Sequence, residues 1–203
     1  PNGGTKKYTY NHAGDVLTET DALGNVSKYT YDGYGNKTSY TDAMGNKYTY
    51  EYNLNDKLIK ETNPLGISTR YVYDAAGHLI ETIDGRGNSK KVEYDKNGNA
   101  VANIDELGNK STIEYDSTGN VVSKTDALGN IVETYEYDAG NNVTSVTDAL
   151  GNKTSYVVDE AGNILKSTNE LKQTTSYGYN KNNKIISTTN DLSGVSKSDY
   201  NEL

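Results

Sequence analysis

The chain has no cysteine, no tryptophan and no phenylalanine, and only two prolines in 203 residues. Without cysteine there is no disulfide framework and no thiolate metal site. Such a sequence suits an oxidising compartment without requiring one. No apolar run reaches 18 residues, so no helical membrane span is expected. The opening "PNGGTKKYTY" lacks the apolar segment of a signal peptide. It begins on Pro1 rather than Met, as a processed or internal piece would. Positive charge is also scarce, with 20 Lys and Arg against 28 Asp and Glu and a net charge of −8. A nucleic-acid binder needs a basic face to neutralise phosphates. The balance therefore argues against that class and, more weakly, against an anionic membrane surface. Aliphatic residues are few: 13 Leu, 10 Ile and 13 Val, about 18% of the chain. That level brings disorder into competition with folding.

What the chain does have is 19 tyrosines and a strict register. The Asp or Asn opening each "DALGN"-like box falls at Asp21, Asp42, Asn63, Asp84, Asp105, Asp126, Asp148, Asn169 and Asn190. The step is 21 residues, with a single step of 22 between Asp126 and Asp148. The second residue of a tyrosine couplet keeps the same step, at Tyr10, Tyr31, Tyr52, Tyr73, Tyr94, Tyr115, Tyr137, Val158, Tyr179 and Tyr200. The extra residue lies between Gly129 and Tyr137. Nine copies in register exclude chance and exclude disorder, which keeps no register.

Each unit has two arms and two turns. Arms such as "NKYTYEY" and "GHLIETI" are rich in Thr, Tyr, Val and Ile, which suit a pleated surface. Turn signals recur every 10 or 11 residues, too often for a useful helix. Four residues after the couplet stands a column of Gly14, Gly35, Asp56, Gly77, Gly98, Gly119, Asn141, Gly162 and Asn183. Only Gly, Asn and Asp occur there, and these tolerate positive φ, so the column predicts a left-handed backbone site. A second column reads Gly24, Gly45, Gly66, Gly87, Gly108, Gly129 and Gly151, then lapses to Lys172 and Ser193. The last two units are therefore expected to be less ordered or to change turn type.

The fold class that follows is all-β: a repetitive antiparallel hairpin meander, one hairpin per 21 residues, in a long open sheet that curves or spirals. An open twisted sheet of roughly 18 strands must curl or close, and each unit mainly touches its neighbours. The array is expected to run over residues 1–203 as one domain. Three ladders are expected along it. The first column of the couplets gives Tyr8, Tyr29, Tyr50, Tyr71, Tyr135, Tyr156 and Tyr177, with Val92 and Ile113 where tyrosine is missing. Val16, Leu58, Leu79, Val121, Val143, Ile164 and Ile185 give the second, and Leu23, Met44, Leu65, Leu107, Leu128, Leu150, Leu171 and Leu192 the third. Tyrosine then does the burial that aliphatics do elsewhere.

The unit "YTYDGYGNKTSYTDAMGN" resembles the YD repeat, also called the RHS repeat. In that pattern an aromatic-x-Tyr-Asp box precedes x-x-Gly-Asn/Arg, an apolar residue and a Thr-Asp-x-x-Gly box. Tyr29, Tyr31, Asp32 and Gly35 match it, followed by Asp42 and Gly45, then Tyr50 and Tyr52. So do Tyr71, Tyr73, Asp74 and Gly77, then Tyr115, Asp116 and Gly119, and the couplet Tyr135 and Tyr137. The resemblance covers essentially the whole chain. It implies a hairpin strip that spirals into a hollow shell, secreted or displayed at a bacterial cell surface. In polymorphic toxins and toxin complexes such a shell encloses a C-terminal toxin domain; in wall-associated proteins and teneurins similar repeats lie outside the cell. A plug motif like Pro-x-x-x-x-Asp-Pro-x-Gly-Leu ends such shells and is absent near "DLSGVSKSDYNEL". The resemblance thus implies an internal stretch of shell wall. Its partners would be neighbouring repeats and the toxin domain.

Chemistry at the level of single residues is sparse. His12 and His78 occupy different positions within their units and build no common site, so both are expected at the surface. No serine stands in a nucleophile-elbow pattern. The box "TDALGN" lacks the oxygen spacing of an EF-hand loop and of the calcium-binding nonapeptide. Its Asp is expected to bond its own turn backbone. Adjacent carboxylates such as Asp105–Glu106 and Asp159–Glu160 occur in any acidic chain and do not define a glycosidase pair. No enzyme activity, metal or cofactor is expected. The tyrosines admit one further reading, stacking against sugar rings in an adhesion module. The outer strands are free edges, so edge-to-edge self-association is expected.

Overall fold

The computed structural model describes residues 5–191 and the backbone of 194–197. Its regular elements are all β: nineteen strands of four to seven residues and no helix among the described residues. Two compact units are present. One runs to Gly98 and includes Ile104–Gly108; the other comprises Asn99–Asn103 and the chain from Asn109 onward.

Each unit is an open antiparallel meander. In the first, the strands from Lys7–Tyr10 to Ser89–Tyr94 pair in chain order. In the second, those from Lys110–Tyr115 to Gly194–Lys197 do the same. Among the described residues, strands touch only their neighbours in sequence. The pairing is local because each connection is a tight hairpin turn, which leaves no length for a crossover.

The described turns of both rows share one construction. In the turn 42–46, the Gly45 N–H donates to the Asp42 carbonyl at 3.0 Å and the Asp42 N–H donates to the Asn46 carbonyl at 3.0 Å. Gly45 stands at φ +88°. This is a type I turn closed by a left-handed residue, the three-residue hairpin loop. The whole predicted left-handed column has positive φ, including the non-glycine members Asp56 (57°), Asn141 (63°) and Asn183 (56°). Lys172 corrects the expectation for the late repeats. It keeps φ +65°, its N–H donates to the Asn169 carbonyl at 3.0 Å, and the turn type does not change. The lysine is forced into the left-handed region by the turn, at a cost glycine would not carry. Ser193, Leu192 and Tyr200 lie outside the described residues.

The hairpin arms carry a feature the sequence did not announce. At the second couplet position the register slips by one: Thr30 faces Ser39, but Tyr31 faces Lys37, leaving Thr38 as an extra residue. The same bulge recurs at Tyr10, Tyr52, Tyr73, Tyr115, Tyr137, Val158 and Tyr179. A bulge disrupts the ladder locally and sharpens the twist. The odd 22-residue step is absorbed the same way, for Lys124 faces Glu133 while Thr125 faces Ile131, so Val132 is the inserted residue.

A single-layer strip has little interior. Only Ala102, Ser39, Ser123 and Ser145 are buried among the described residues, and no large side chain is fully buried. The serines are satisfied across the strand pair: Ser123 Oγ donates to Glu114 at 2.9 Å and Ser145 Oγ to Glu136 at 2.8 Å. In the strand Val26–Tyr31 exposure alternates, with Ser27, Tyr29 and Tyr31 half-buried and Val26, Lys28 and Thr30 exposed. On this strand the tyrosine face is the more covered one, but the buried serines lie on the opposite face, where Ser39 faces Thr30, Ser123 faces Glu114 and Ser145 faces Glu136. Two ladder expectations need correction. The leucines of the second turns are not packed: Leu23, Met44, Leu65, Leu107, Leu128 and Leu150 are 82–88% exposed, because they sit at turn tips beyond the sheet. The first tyrosine column is not a continuous stack either. Tyr50 faces Glu61, Tyr71 faces Thr82 and Tyr156 faces Ser167, so the intervening strand separates successive rings.

Candidate functional site

The second tyrosine of each couplet does something a phenylalanine could not. Tyr31 Oη donates to the Val16 carbonyl at 3.0 Å, and Val16 is the residue that faces Tyr10 across the preceding hairpin's bulge. In the first unit the bond recurs from Tyr52 to Lys37 and from Tyr73 to Leu58, both at 3.0 Å, and from Tyr94 to Leu79 at 3.2 Å. In the second unit Tyr115 donates to Ala100 at 2.9 Å, and Tyr137 to Val121 and Tyr179 to Ile164 at 2.8 Å. Each hairpin thus reaches back and supplies a donor to the bulge of the one before it. Burial pushes the hydroxyls of Tyr31, Tyr52 and Tyr137 above the ordinary tyrosine pKa. Val158 has no hydroxyl to offer its neighbour.

The first column is more varied and makes local contacts. Tyr71 Oη donates to Glu61 at 2.8 Å; its pKa is pushed up to about 12 by burial and by that carboxylate. Lys124 donates to Glu133 at 2.9 Å and to Tyr135 Oη at 2.8 Å, its ammonium 5.1 Å from the Tyr135 ring centre. One cluster departs from the repeat. Tyr40, on the strand Lys37–Thr41, fills a position held elsewhere by Glu19, Glu61 or Thr82, and its ring lies 5.2 Å from Tyr29 and 5.8 Å from Tyr48. Beside this row a cleft of about 520 Å³ opens between turns 21–25 and 42–46, lined by Glu19, Asn25, Ser27, Tyr29, Tyr40 and Asp42 among others.

The turn aspartates are occupied by their own turns. Asp42 Oδ1 accepts the N–H of Met44 at 2.9 Å and of Asn46 at 2.8 Å, and Oδ2 accepts the Asn46 amide at 2.7 Å. The bond from the asparagine amide holds Asp21, Asp42, Asp84, Asp126 and Asp148 below the ordinary carboxylate range. Asp116 is lowered to about 2, first by the Thr118 hydroxyl and then by the Asn120 N–H. The Asx-turn reading of the box is thus what the geometry shows. No group of three or more metal-ligating side chains occurs among the described residues. Asp32, Asp74 and Asp116 play the same part in the first turns. His12 is exposed, as expected. His78 is not a plain surface residue: it replaces the asparagine of its turn, donates from Nδ1 to Asp74 Oδ2 at 3.0 Å, and stacks on Tyr94 at 4.7 Å. Glu106 pairs with Lys90 at 3.4 Å, and the carboxylate of Asp159 accepts its turn's N–H groups.

Among the motif residues named from sequence, the structure brings together the second-column tyrosines with the bulges, and each turn Asp with its left-handed residue. The missed elements are the bulge acceptors and Tyr40. The signal for the first was present: the second column tolerates almost nothing but tyrosine, whereas the first admits Val92 and Ile113. No curated protein matches the chain at a significant level. Its fold is similar to a stretch of a Tc holotoxin pore from Photorhabdus luminescens, at TM-score 0.56 and 15% identity over 92% of this chain and 12% of that one. A TcdB2–TccC3 structure is similar too, at TM-score 0.56 and 17% identity over 91% of this chain and 14% of that one. The chain therefore spans about an eighth of the length of these structures. At that identity the likeness concerns the fold. The RHS Repeat family matches residues 10–47, 52–89, 94–131 and 115–153. With most of the sequence covered by these matches and one tyrosine-anchored hairpin per 21 residues, the chain belongs to the RHS repeat family.

Proposed function

We propose that this chain is a non-enzymatic scaffold, an internal stretch of the β-wall of an exported bacterial RHS-repeat protein that encloses or presents a C-terminal toxin domain. Residues 1–203 form one repeat array in this reading. The observation that carries it is the tyrosine-to-bulge bond repeated hairpin after hairpin. It lets a strip grow by addition of like units, each docked on the last, without a core on either side. Side chains that could do chemistry are spent on the scaffold: turn carboxylates on turn backbones, lysines on cross-strand glutamates, tyrosine hydroxyls on carbonyls. The likeness to toxin-complex structures supports the same reading.

The test is protease protection in the whole natural protein. A C-terminal segment that stays uncut until the repeat array is unfolded supports an enclosing wall. A segment cut at once, with the array intact, contradicts it.

A second reading, contact with saccharides at a cell surface, is favoured by the ring row Tyr29–Tyr40–Tyr48 and its cleft. Aromatic faces flanked by carboxylates and amides suit a sugar's C–H face and hydroxyls. Neutral oligosaccharides titrated against the chain should shift the tyrosine signals of this row and not those of the Tyr40→Thr variant. Equal shifts in both, or none, remove this reading.

A further inference from the structure

The non-glycine members of the left-handed column in the first turns have neighbours that glycine would not use. Asn36 Nδ2 donates to Asp56 Oδ1 at 2.7 Å. Asn120 Nδ2 donates to Asn141 Oδ1 at 2.8 Å, and Thr118 Oγ1 donates to the same oxygen at 3.3 Å. Asn163 Nδ2 donates to Asn183 Oδ1 at 3.3 Å. In every case the amide donor is the fifth residue of one turn, joined by the third residue at Thr118, and the acceptor is the left-handed residue of the next turn in the same row. Where that residue is glycine the same neighbour often stands opposite. A Cβ on Gly77 would lie 3.5 Å from Lys57 Cε, on Gly98 3.1 Å from His78 Nε2, and on Gly162 2.9 Å from Asn142 Oδ1. At Gly35 and Gly119 the space stays open. In the second turns the left-handed glycines Gly24, Gly45, Gly66, Gly87, Gly108, Gly129 and Gly151 have nothing within 4 Å. Neighbouring second turns still meet elsewhere: Gly85 lies against Ile67, Lys90 pairs with Glu106, and the Thr174 N–H and hydroxyl donate to Asp191.

We infer that Asp56, Asn141 and Asn183 are lateral fasteners. They hold consecutive hairpins together along the first-turn edge. The backbone logic is direct. A non-glycine residue at positive φ is strained, though Asn and Asp tolerate the region best. At an ordinary site of this kind, glycine is the relaxed choice. Here three residues accept the strain and each side-chain oxygen receives a bond from the adjacent turn. A bond between two exposed turns fixes their spacing without any core.

Amide hydrogen exchange on the full chain tests this, because the sequence supplies its own control. The Asn120 N–H donates to Asp116 Oδ1 at 2.9 Å and the Asn130 N–H donates to Asp126 Oδ1 at 2.9 Å. Both follow a glycine in the same turn type, and only Asn120 is fastened to a neighbour. Asn120 should exchange at least threefold more slowly than Asn130, the scale of one modest hydrogen bond. Asn141→Gly should remove that difference while the chain stays folded, since glycine relaxes the backbone. Asn141→Asp, which keeps the acceptor oxygen as Asp56 does, should restore it. Equal exchange at Asn120 and Asn130 overturns the inference. So does an Asn141→Gly variant that leaves Asn120 protected, or an Asn141→Asp variant that behaves like the glycine.

Discussion

The two rows of turns are built alike and behave differently. Gly35 in the first row and Gly45 in the second stand at φ +89° and +88°. Asp32 and Asp42 each hold the N–H groups two and four residues on. The difference lies outside the turn. First-row turns lean on one another through Asn36, Lys57, His78, Asn120, Asn142 and Asn163, while the second row presents leucines to solvent and meets its neighbours at irregular points, as where Gly85 lies against Ile67 and Lys90 pairs with Glu106. Identical local structure therefore does not make identical surfaces. Turn chemistry decides the hairpin, and the residues between turns decide how hairpins are joined. The tyrosine-to-bulge bonds lie near the first row as well, because the bulge sits beside the first turn.

The largest expected effect treats both rows at once. The turn carboxylates are held below their ordinary value, so they contribute stability above about pH 4 that is lost as pH falls through the folded values, which for Asp116 is about 2. Circular dichroism should show loss of strand signal between about pH 4 and 2. A sheet unchanged at pH 2 would separate the turns from the fold's stability. A valine at Gly77 or Gly87 then distinguishes the rows. Both stand near φ +90° and both variants should cost on the order of 1–3 kcal/mol. Gly77→Val should cost more, since its Cβ meets Lys57 while that of Gly87 meets nothing. Equal denaturation midpoints would mean that the lateral contact is slack.

Smaller effects follow in the second row. Lys172→Gly should stabilise by about 0.5 kcal/mol, the left-handed strain released less the flexibility gained by the unfolded chain. A lower melting temperature would show that the lysine is held for another reason. Leu150→Ser, at a tip 87% exposed, should change stability by less than about 0.5 kcal/mol. A clear loss would mean the leucine row packs in solution.

Much of this was legible in the sequence. The period, the hairpin arms and the positive-φ column follow from residue types at fixed spacing, because turn chemistry is local. Lys172 misled, since its row's glycine signal lapses while the surrounding Asn169 and Gln173 still close the turn. Gln173 accepts the backbone bond that asparagine accepts elsewhere. The leucine column misled for a different reason. Periodic apolar residues normally mark a packed face, but these fall at turn tips, where periodicity carries no information about burial. The bulge was hidden because an extra residue on one arm does not alter the repeat length. Tyr40 and His78 were hidden because each is a single departure from its column, and only the neighbours across the strands give it meaning.

Hairpins are docked by directional bonds from tyrosine hydroxyls rather than by a core. Tyr52→Phe removes one oxygen and keeps the ring, so urea unfolding of that variant separates the bond from the packing of the ring. The expected result is a loss of about 1–2 kcal/mol, with the Lys37 carbonyl left without its donor. An unchanged midpoint would show that the ring alone holds the strip together.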